Sequence, residues 1–234
     1  WHEIRMLHRA IKKCGRPIVL SLSPGPAQID HAWEYCKYAN MWRITDDFWD
    51  DWSLLKAMFA RCELWQDHVR QGCFPDCDML PIGKLGKGFG NEWDTRFNTE
   101  ELKTMMTLWC MFRSPLMIGT ELTLLDECTL SLLTNKELLA LMNENCKGTQ
   151  LLRTDEYVIW KNKDGESGRL CAAIFNISDR DAALSVSLED LEEGFKAGED
   201  KDLYEIWDKH RSVTASGRIE TVVPAHGVKV YQVG

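Results

Sequence analysis

Met41-Trp-Arg-Ile-Thr-Asp-Asp-Phe-Trp-Asp-Asp-Trp52 carries two periodicities in twelve residues. Up to Asp47 the side chains alternate as in a strand. Met41, Arg43, Thr45 and Asp47 share one face, and Trp42, Ile44 and Asp46 share the other. Trp42 and Ile44 suit packing beneath a helix. From Trp52 onward, Leu55, Phe59, Cys62 and Trp65 recur at helical spacing. A strand that ends in carboxylates and runs into a helix is one unit of a parallel α/β sheet.

The flanking sequence repeats this unit. Ile4, Leu7 and Ile11 form a helical face that Gly15 ends. Pro17 to Ser23 is a continuous apolar run, which predicts a strand buried on both faces. Pro24-Gly25-Pro26 makes a loop, and Ile29, Ala32, Trp33 and Cys36 give the next helix. Another strand region spans Cys73 to Gly83 and ends in a glycine-rich loop from Gly83 to Gly90. Asn98 and Glu101 predict a capping pair for a helix with Leu102, Met105, Met106, Trp109 and Phe112 inward. Pro115 to Gly119 is a further strand, and Thr134 to Glu137 predicts a capping box. Such alternation means parallel strands joined by right-handed crossovers.

After Gly148 the period becomes two. Tyr157–Trp160, Leu170–Phe175, Ala183–Leu188, Tyr204–Trp207, Ile219–Val223 and Val228–Tyr231 predict strands separated by turns. The expected division is therefore an α/β unit over 1–148 and an antiparallel β-sandwich over 149–234.

The 234 residues carry a net charge of −8 without a basic block, which argues against nucleic acid and anionic membrane surfaces as partners. No apolar run reaches the roughly 18 residues of a membrane span. The nine cysteines are mostly isolated in apolar surroundings and are expected to be reduced, which leans towards a cytoplasmic location. Cys73 and Cys77 are spaced for a disulfide or half a metal site, but a second pair is missing. His2, His8, His31, His68, His210 and His226 have no ligand spacing, so no metal is expected. The glycine-rich loop lacks the Lys-Ser/Thr ending of a phosphate cradle.

Asp47 falls at the carboxyl end of its strand, where parallel α/β sites are built. With Arg43 on the same face it makes a usable acid/base or electrostatic pair. The other reading is that Asp46, Asp47, Asp50 and Asp51 cap the next helix. That reading suits Asp50 or Asp51 best, because they directly precede the Trp52 stripe. Asp76 and Asp78 are two apart at another strand end, so one can face the same side or both can serve a turn. Ser21 to Pro26 offers a pocket wall at a third strand end. Ten tryptophans suit either sugar stacking or core, and Trp52, Trp65 and Trp109 lie on core stripes.

Four segments together resemble glycoside hydrolase family 27, the α-galactosidases and α-N-acetylgalactosaminidases. Trp42-Arg43 with Asp47 and Trp52 is similar to the sixth-strand motif of that family's barrel. Asp76-Cys-Asp-Met-Leu80 with Ile82-Gly83 resembles the seventh, Leu108-Trp109 through Ser114-Pro-Leu116 the eighth, and Ile18 to Ser23 the fifth. The sequence departs from the family at Pro24-Gly25-Pro26, where a Trp-Pro pair is usual, and at Cys77, where proline is. Leu22 and Ala39 occupy the places of a disulfide found in animal members.

The resemblance implies the second half of a (β/α)8 TIM barrel, strands five to eight, followed by the sandwich. It assigns Asp47 as acid/base, Arg43 as a contact near sugar carbon 2, and Asp78 and Met79 as site walls. It places Ser23 and Ala27 at the position that reads the carbon 2 substituent, where small side chains favour an acetamido group. The implied activity is retaining hydrolysis of terminal α-linked galactose or N-acetylgalactosamine, with no cofactor. A relative with the same scaffold is β-L-arabinopyranosidase. The nucleophile of the family lies on a Lys-x-Asp segment at the fourth strand, and no such segment precedes Pro17. The chain also starts at Trp1 rather than Met, and a complete barrel takes about 250 residues. The expected partners are therefore a carbohydrate and the other half of the barrel, with room for a homo-oligomer. The alternative is a truncated module that binds carbohydrate or serves a structural role without catalysis.

Overall fold

A computed structural model describes residues 2–234. The first part contains α1 (His2–Cys14), β1 (Ser21–Leu22), α2 (Ala32–Tyr38), β2 (Met41–Arg43), α3 (Trp52–Trp65) and β3 (Phe74–Asp76). A small hairpin, β4 (Lys84–Leu85) and β5 (Trp93–Asp94), precedes α4 (Thr99–Phe112), α5 (Glu127–Leu133) and α6 (Lys136–Leu139). The second part contains β6 (Cys146–Arg153), β7 (Tyr157–Asp164), β8 (Leu170–Asn176), β9 (Ala182–Ser187) and α7 (Leu188–Leu191). It ends with β10 (Asp202–Glu205), β11 (His210–Val213), β12 (Arg218–Val223) and β13 (Val228–Val233).

β1, β2 and β3 pair in parallel, with Leu22 opposite Trp42 and Arg43 opposite Asp76. Trp42 is fully buried on the helix side, where it stacks on Tyr35 at 5.6 Å and meets Trp65 at 5.9 Å. The strand expected over Pro17 to Ser23 is shorter and more open than its apolar run suggests. Only Ser21 and Leu22 pair, and Val19 is 68% exposed. The reason is that β1 is an edge of its sheet, so one side has no paired neighbour among the described residues. The strand expected over Pro115 to Gly119 is reduced to one parallel bridge, Leu80 to Ile118. Pro115 brings no N–H to extend that ladder.

The Asn98 capping box forms as its sequence predicts. The Asn98 side chain accepts from the Glu101 N–H at 3.0 Å, and Glu101 accepts from the Asn98 N–H at 2.9 Å. The box expected at Thr134 is displaced by one residue: Asn135 caps α6, and the Thr134 hydroxyl turns back to the Leu130 carbonyl.

The second part is a sandwich of unequal sheets. Six antiparallel strands run in the order β11-β10-β13-β8-β7-β6, facing a β12-β9 pair. Ile159, Ala172, Ile174 and Tyr231 point to the pair, with Val186 and Ile219 opposite them. The other face of the large sheet packs on α4, through Trp160, Ala173, Phe175 and Val230. That is why every residue of β8 is buried. β6 joins this sheet from Cys146, so the expected boundary between 148 and 149 falls within a strand. His226 ties the parts together. It stacks on Trp52 at 3.9 Å, and its two ring nitrogens meet Glu101 and Asp179, each at 2.8 Å.

Candidate functional site

Arg43 is the last residue of β2 and lies on the face away from Trp42, as alternation requires. Its side chain is buried, and one terminal nitrogen donates to Asp47 Oδ1 at 3.1 Å while standing 3.1 Å from Asp78 Oδ2. The guanidinium thus holds two carboxylates from two strand ends. The two differ in surroundings. The Asp47 side chain is 85% exposed, whereas Asp78 is 17% exposed and also accepts the Phe48 N–H at 2.7 Å. Arg43 Nε is buried without a hydrogen-bond partner among the described residues.

Asp78 reaches Arg43 from a left-handed backbone, φ 76°. Asp76 fixes that turn by accepting the Asp78 N–H at 2.9 Å, and Trp109 Nε1 donates to the Asp78 carbonyl at 3.1 Å. Asp76 itself is buried, and burial raises its carboxyl pKa above the usual value, opposed by the Asp78 N–H and by Arg43. Of the two aspartates at this strand end, Asp78 faces the arginine and Asp76 supports it.

The Pro24-Gly25-Pro26 loop lies across β2. Ala27 donates its N–H to the Arg43 carbonyl at 2.9 Å. Gly25 allows that approach: a Cβ there would stand 2.2 Å from the Thr45 carbonyl oxygen. Ser23 is exposed at the end of β1, and Met79 follows Asp78 directly. Ser23, Ala27, Arg43, Asp47, Asp78 and Met79 therefore all lie at the carboxyl ends of parallel strands or in the loops that follow.

The acidic run after β2 divides its work. Asp51 caps α3 by accepting the Ser53 N–H at 2.7 Å. Asp50 does something the sequence did not announce. Its side chain is buried and accepts from Trp93 Nε1 at 3.0 Å and from the Arg96 N–H at 2.8 Å. This tie holds Trp93 beside Trp49, with ring centroids 5.7 Å apart. No local signal marks a partner more than 40 residues away.

All nine cysteines are free thiols. Cys73 and Cys77 do not pair with each other. Cys73 donates to the Cys36 carbonyl, and Cys77 lies 3.6 Å from Cys62 in the core. Burial pushes the Cys110 thiol up to about 12, well away from any nucleophilic role at neutral pH. Among the described residues no group of three or more His, Cys, Asp or Glu is arranged to hold a metal ion.

Comparison with known proteins accounts for both parts of the chain. The family model described as alpha galactosidase A matches residues 2–144. The model described as the alpha galactosidase C-terminal beta sandwich domain matches residues 154–233. The parallel unit and the sandwich fit a fragment of that family's barrel followed by its sandwich domain. Among solved structures, a β-L-arabinopyranosidase of the same family from Geobacillus stearothermophilus, in complex with arabinose, is 44% identical with a TM-score of 0.92. The match covers 100% of this chain and 54% of that one. The alpha-galactosidase of Cyamopsis tetragonoloba is 24% identical over 95% of this chain and 51% of its own length. The alpha-galactosidase mel1 of Schizosaccharomyces pombe is 26% identical over 99% of this chain and 57% of its own. The chain thus spans about half the length of the relatives it matches.

Proposed function

Because the chain belongs to glycoside hydrolase family 27, we propose that it forms part of a retaining glycosidase acting on pyranosides of α-galactose configuration. The observation that carries this reading is the buried Arg43 guanidinium holding one open and one enclosed carboxylate at the strand ends. The residues before β6 supply strands five to eight of the barrel, and β6 to β13 the sandwich. The first half of the barrel, with the nucleophile, belongs to sequence outside this chain. The share of each relative that the match covers supports this division.

In this reading Asp47 is the acid/base. Its exposed carboxyl stands where a leaving oxygen meets solvent, so it can give a proton to that oxygen and then take one from water. The nucleophile attacks from the opposite face, with the two carboxylates about 5–5.5 Å apart as retention requires. Arg43 binds the sugar near carbon 2 through its guanidinium, whose terminal nitrogen already faces the strand-end carboxylates. Asp78 and Met79 wall the site. Ser23 and Ala27 leave volume at carbon 2, which suits either a hydroxyl or an acetamido group.

L-arabinopyranose is galactose without its carbon 6, and β-L-arabinosides present the same anomeric geometry as α-D-galactosides. The 44% identity to the arabinopyranosidase over the whole chain favours that sugar as a second reading. None of the proposed roles falls on carbon 6, so both readings use the same Arg43–Asp47 pair. The test is hydrolysis of three nitrophenyl glycosides, α-galactoside, α-N-acetylgalactosaminide and β-L-arabinopyranoside, by the complete protein, with proton NMR of the first sugar released. Retention with one preferred glycoside is expected. Inversion, or no turnover of any of them, rejects the reading.

A further inference from the structure

A cleft of about 230 Å³ lies between Trp49, Met79 and the β4–β5 hairpin. We propose that it binds the sugar ring on the leaving-group side of the scissile bond, with Phe89 as its outer wall. This rests on the glycosidase reading above and assigns the part of the substrate that the reading leaves unplaced.

The cleft begins where the site ends. Trp49 stands two residues beyond Asp47, and Met79 directly follows Asp78, the two carboxylates that share Arg43. Its floor is fixed. Trp49 leans on Trp93, and the buried Asp50 holds Trp93 through the indole N–H. Met79 is seated against Gly119, where a Cβ would stand 2.6 Å from the methionine sulfur. The opposite wall carries an exposed ring. Phe89 is 83% exposed and sits between Gly88 and Gly90, both in left-handed backbone, φ 94° and 85°.

The chemistry of the lining selects the occupant. A pyranose presents an apolar C–H face and a rim of hydroxyls, so it needs aromatic rings beside polar groups. Trp49 and Phe89 supply the rings. Lys87 and Glu121 supply the rim, 3.2 Å apart. Lys84 is likewise paired, with Asp94 at 2.7 Å. Both lysines are matched by a carboxylate, so the cleft favours an uncharged ligand over a phosphate or a uronate.

The experiment compares two substrates in the complete protein. A glycosyl fluoride, galactosyl or β-L-arabinopyranosyl, has no leaving sugar, whereas a disaccharide with the same terminal residue on glucose does. In Phe89→Ala the ratio of kcat/KM for disaccharide to fluoride should fall about tenfold, the contribution of one aromatic contact. In Phe89→Trp the ratio should stay within about twofold of wild type. A ratio unchanged in Phe89→Ala, with the fluoride turned over normally, overturns the cleft assignment alone. Failure of the wild-type protein to turn over either fluoride rejects the glycosidase reading and this proposal with it.

Discussion

Arg43 is an arginine kept in a buried place by carboxylates, and that placement fixes what its neighbours can do. A buried guanidinium needs charge partners, because leaving it unpaired costs several kcal/mol. Asp78 is the enclosed partner and Asp47 the open one. Asp47→Asn keeps a hydrogen-bond acceptor for Arg43 but removes the proton donor. Turnover of nitrophenyl glycosides by the complete protein should fall by about 10²–10⁴. Thermal unfolding should hardly change, since the side chain is exposed; equal loss of stability and activity would reject the acid/base role. Asp76 gives a prediction of opposite character. Burial raises its pKa above 3.8, the ordinary value. As pH rises through 3.8 the unfolded chain loses this proton first, so the Asp76 contribution to stability declines until pH passes the raised folded value. In Asp76→Asn that decline should vanish while the bond to the Asp78 N–H is retained. Urea midpoints measured across the weakly acid range check it.

At the scale of elements, α4 does the most. Eleven of its residues are buried, because the barrel fragment lies on one side and the large sandwich sheet on the other. A helix hydrophobic on nearly all faces is a buried helix, and its ends need satisfied backbone groups. The Asn98 box meets this at the start. Asn98→Ala should cost about 1 kcal/mol, read as a shift of the denaturant midpoint with an unchanged slope. A change in slope would mean that the two parts unfold separately. The same helix end reaches the sandwich through Glu101 and His226, and Thr104 donates to the His226 carbonyl at 2.7 Å. The hairpin that closes the proposed leaving-group cleft is held through Asp50 at Trp93, Glu121 at Lys87, and the Lys84 carbonyl, which accepts from the Thr120 hydroxyl and the Glu121 N–H. Glu121 accepts from the Thr123 hydroxyl and N–H, and with Lys87 this pulls its carboxyl down to about 2. It therefore stays charged throughout the range in which glycosidases are assayed.

At the scale of the molecule, the parallel sheet has an open edge at β1 among the described residues, as half a barrel implies. Val19 and Ile18 precede β1 and are exposed, although their run reads as a strand with two covered faces. An apolar sheet edge recruits another strand. The chain by itself should self-associate through this edge, and Val19→Lys should reduce the association, measured by sedimentation velocity. Association unaffected by Val19→Lys would place the contact elsewhere. Much of the architecture was legible in the sequence. Period 3.6 and period 2 located most elements, and alternation put Arg43 on the face away from Trp42; the strand expected up to Asp47 ends at Arg43, and Asp47 meets the guanidinium from the bend that follows. β6 and β11 escaped, because Cys146–Arg153 and His210–Val213 have no clear alternation of apolar residues. The acidic clusters were visible, but their division of labour was not. Whether Asp76 or Asp78 meets Arg43, that Asp50 holds Trp93 while Asp51 caps α3, and that β8 is covered on both faces were decided by tertiary structure. Periodicity reports how a side chain points from its own element. Which group it meets depends on how elements 30 or more residues apart are laid against one another, and only the packed chain fixes that.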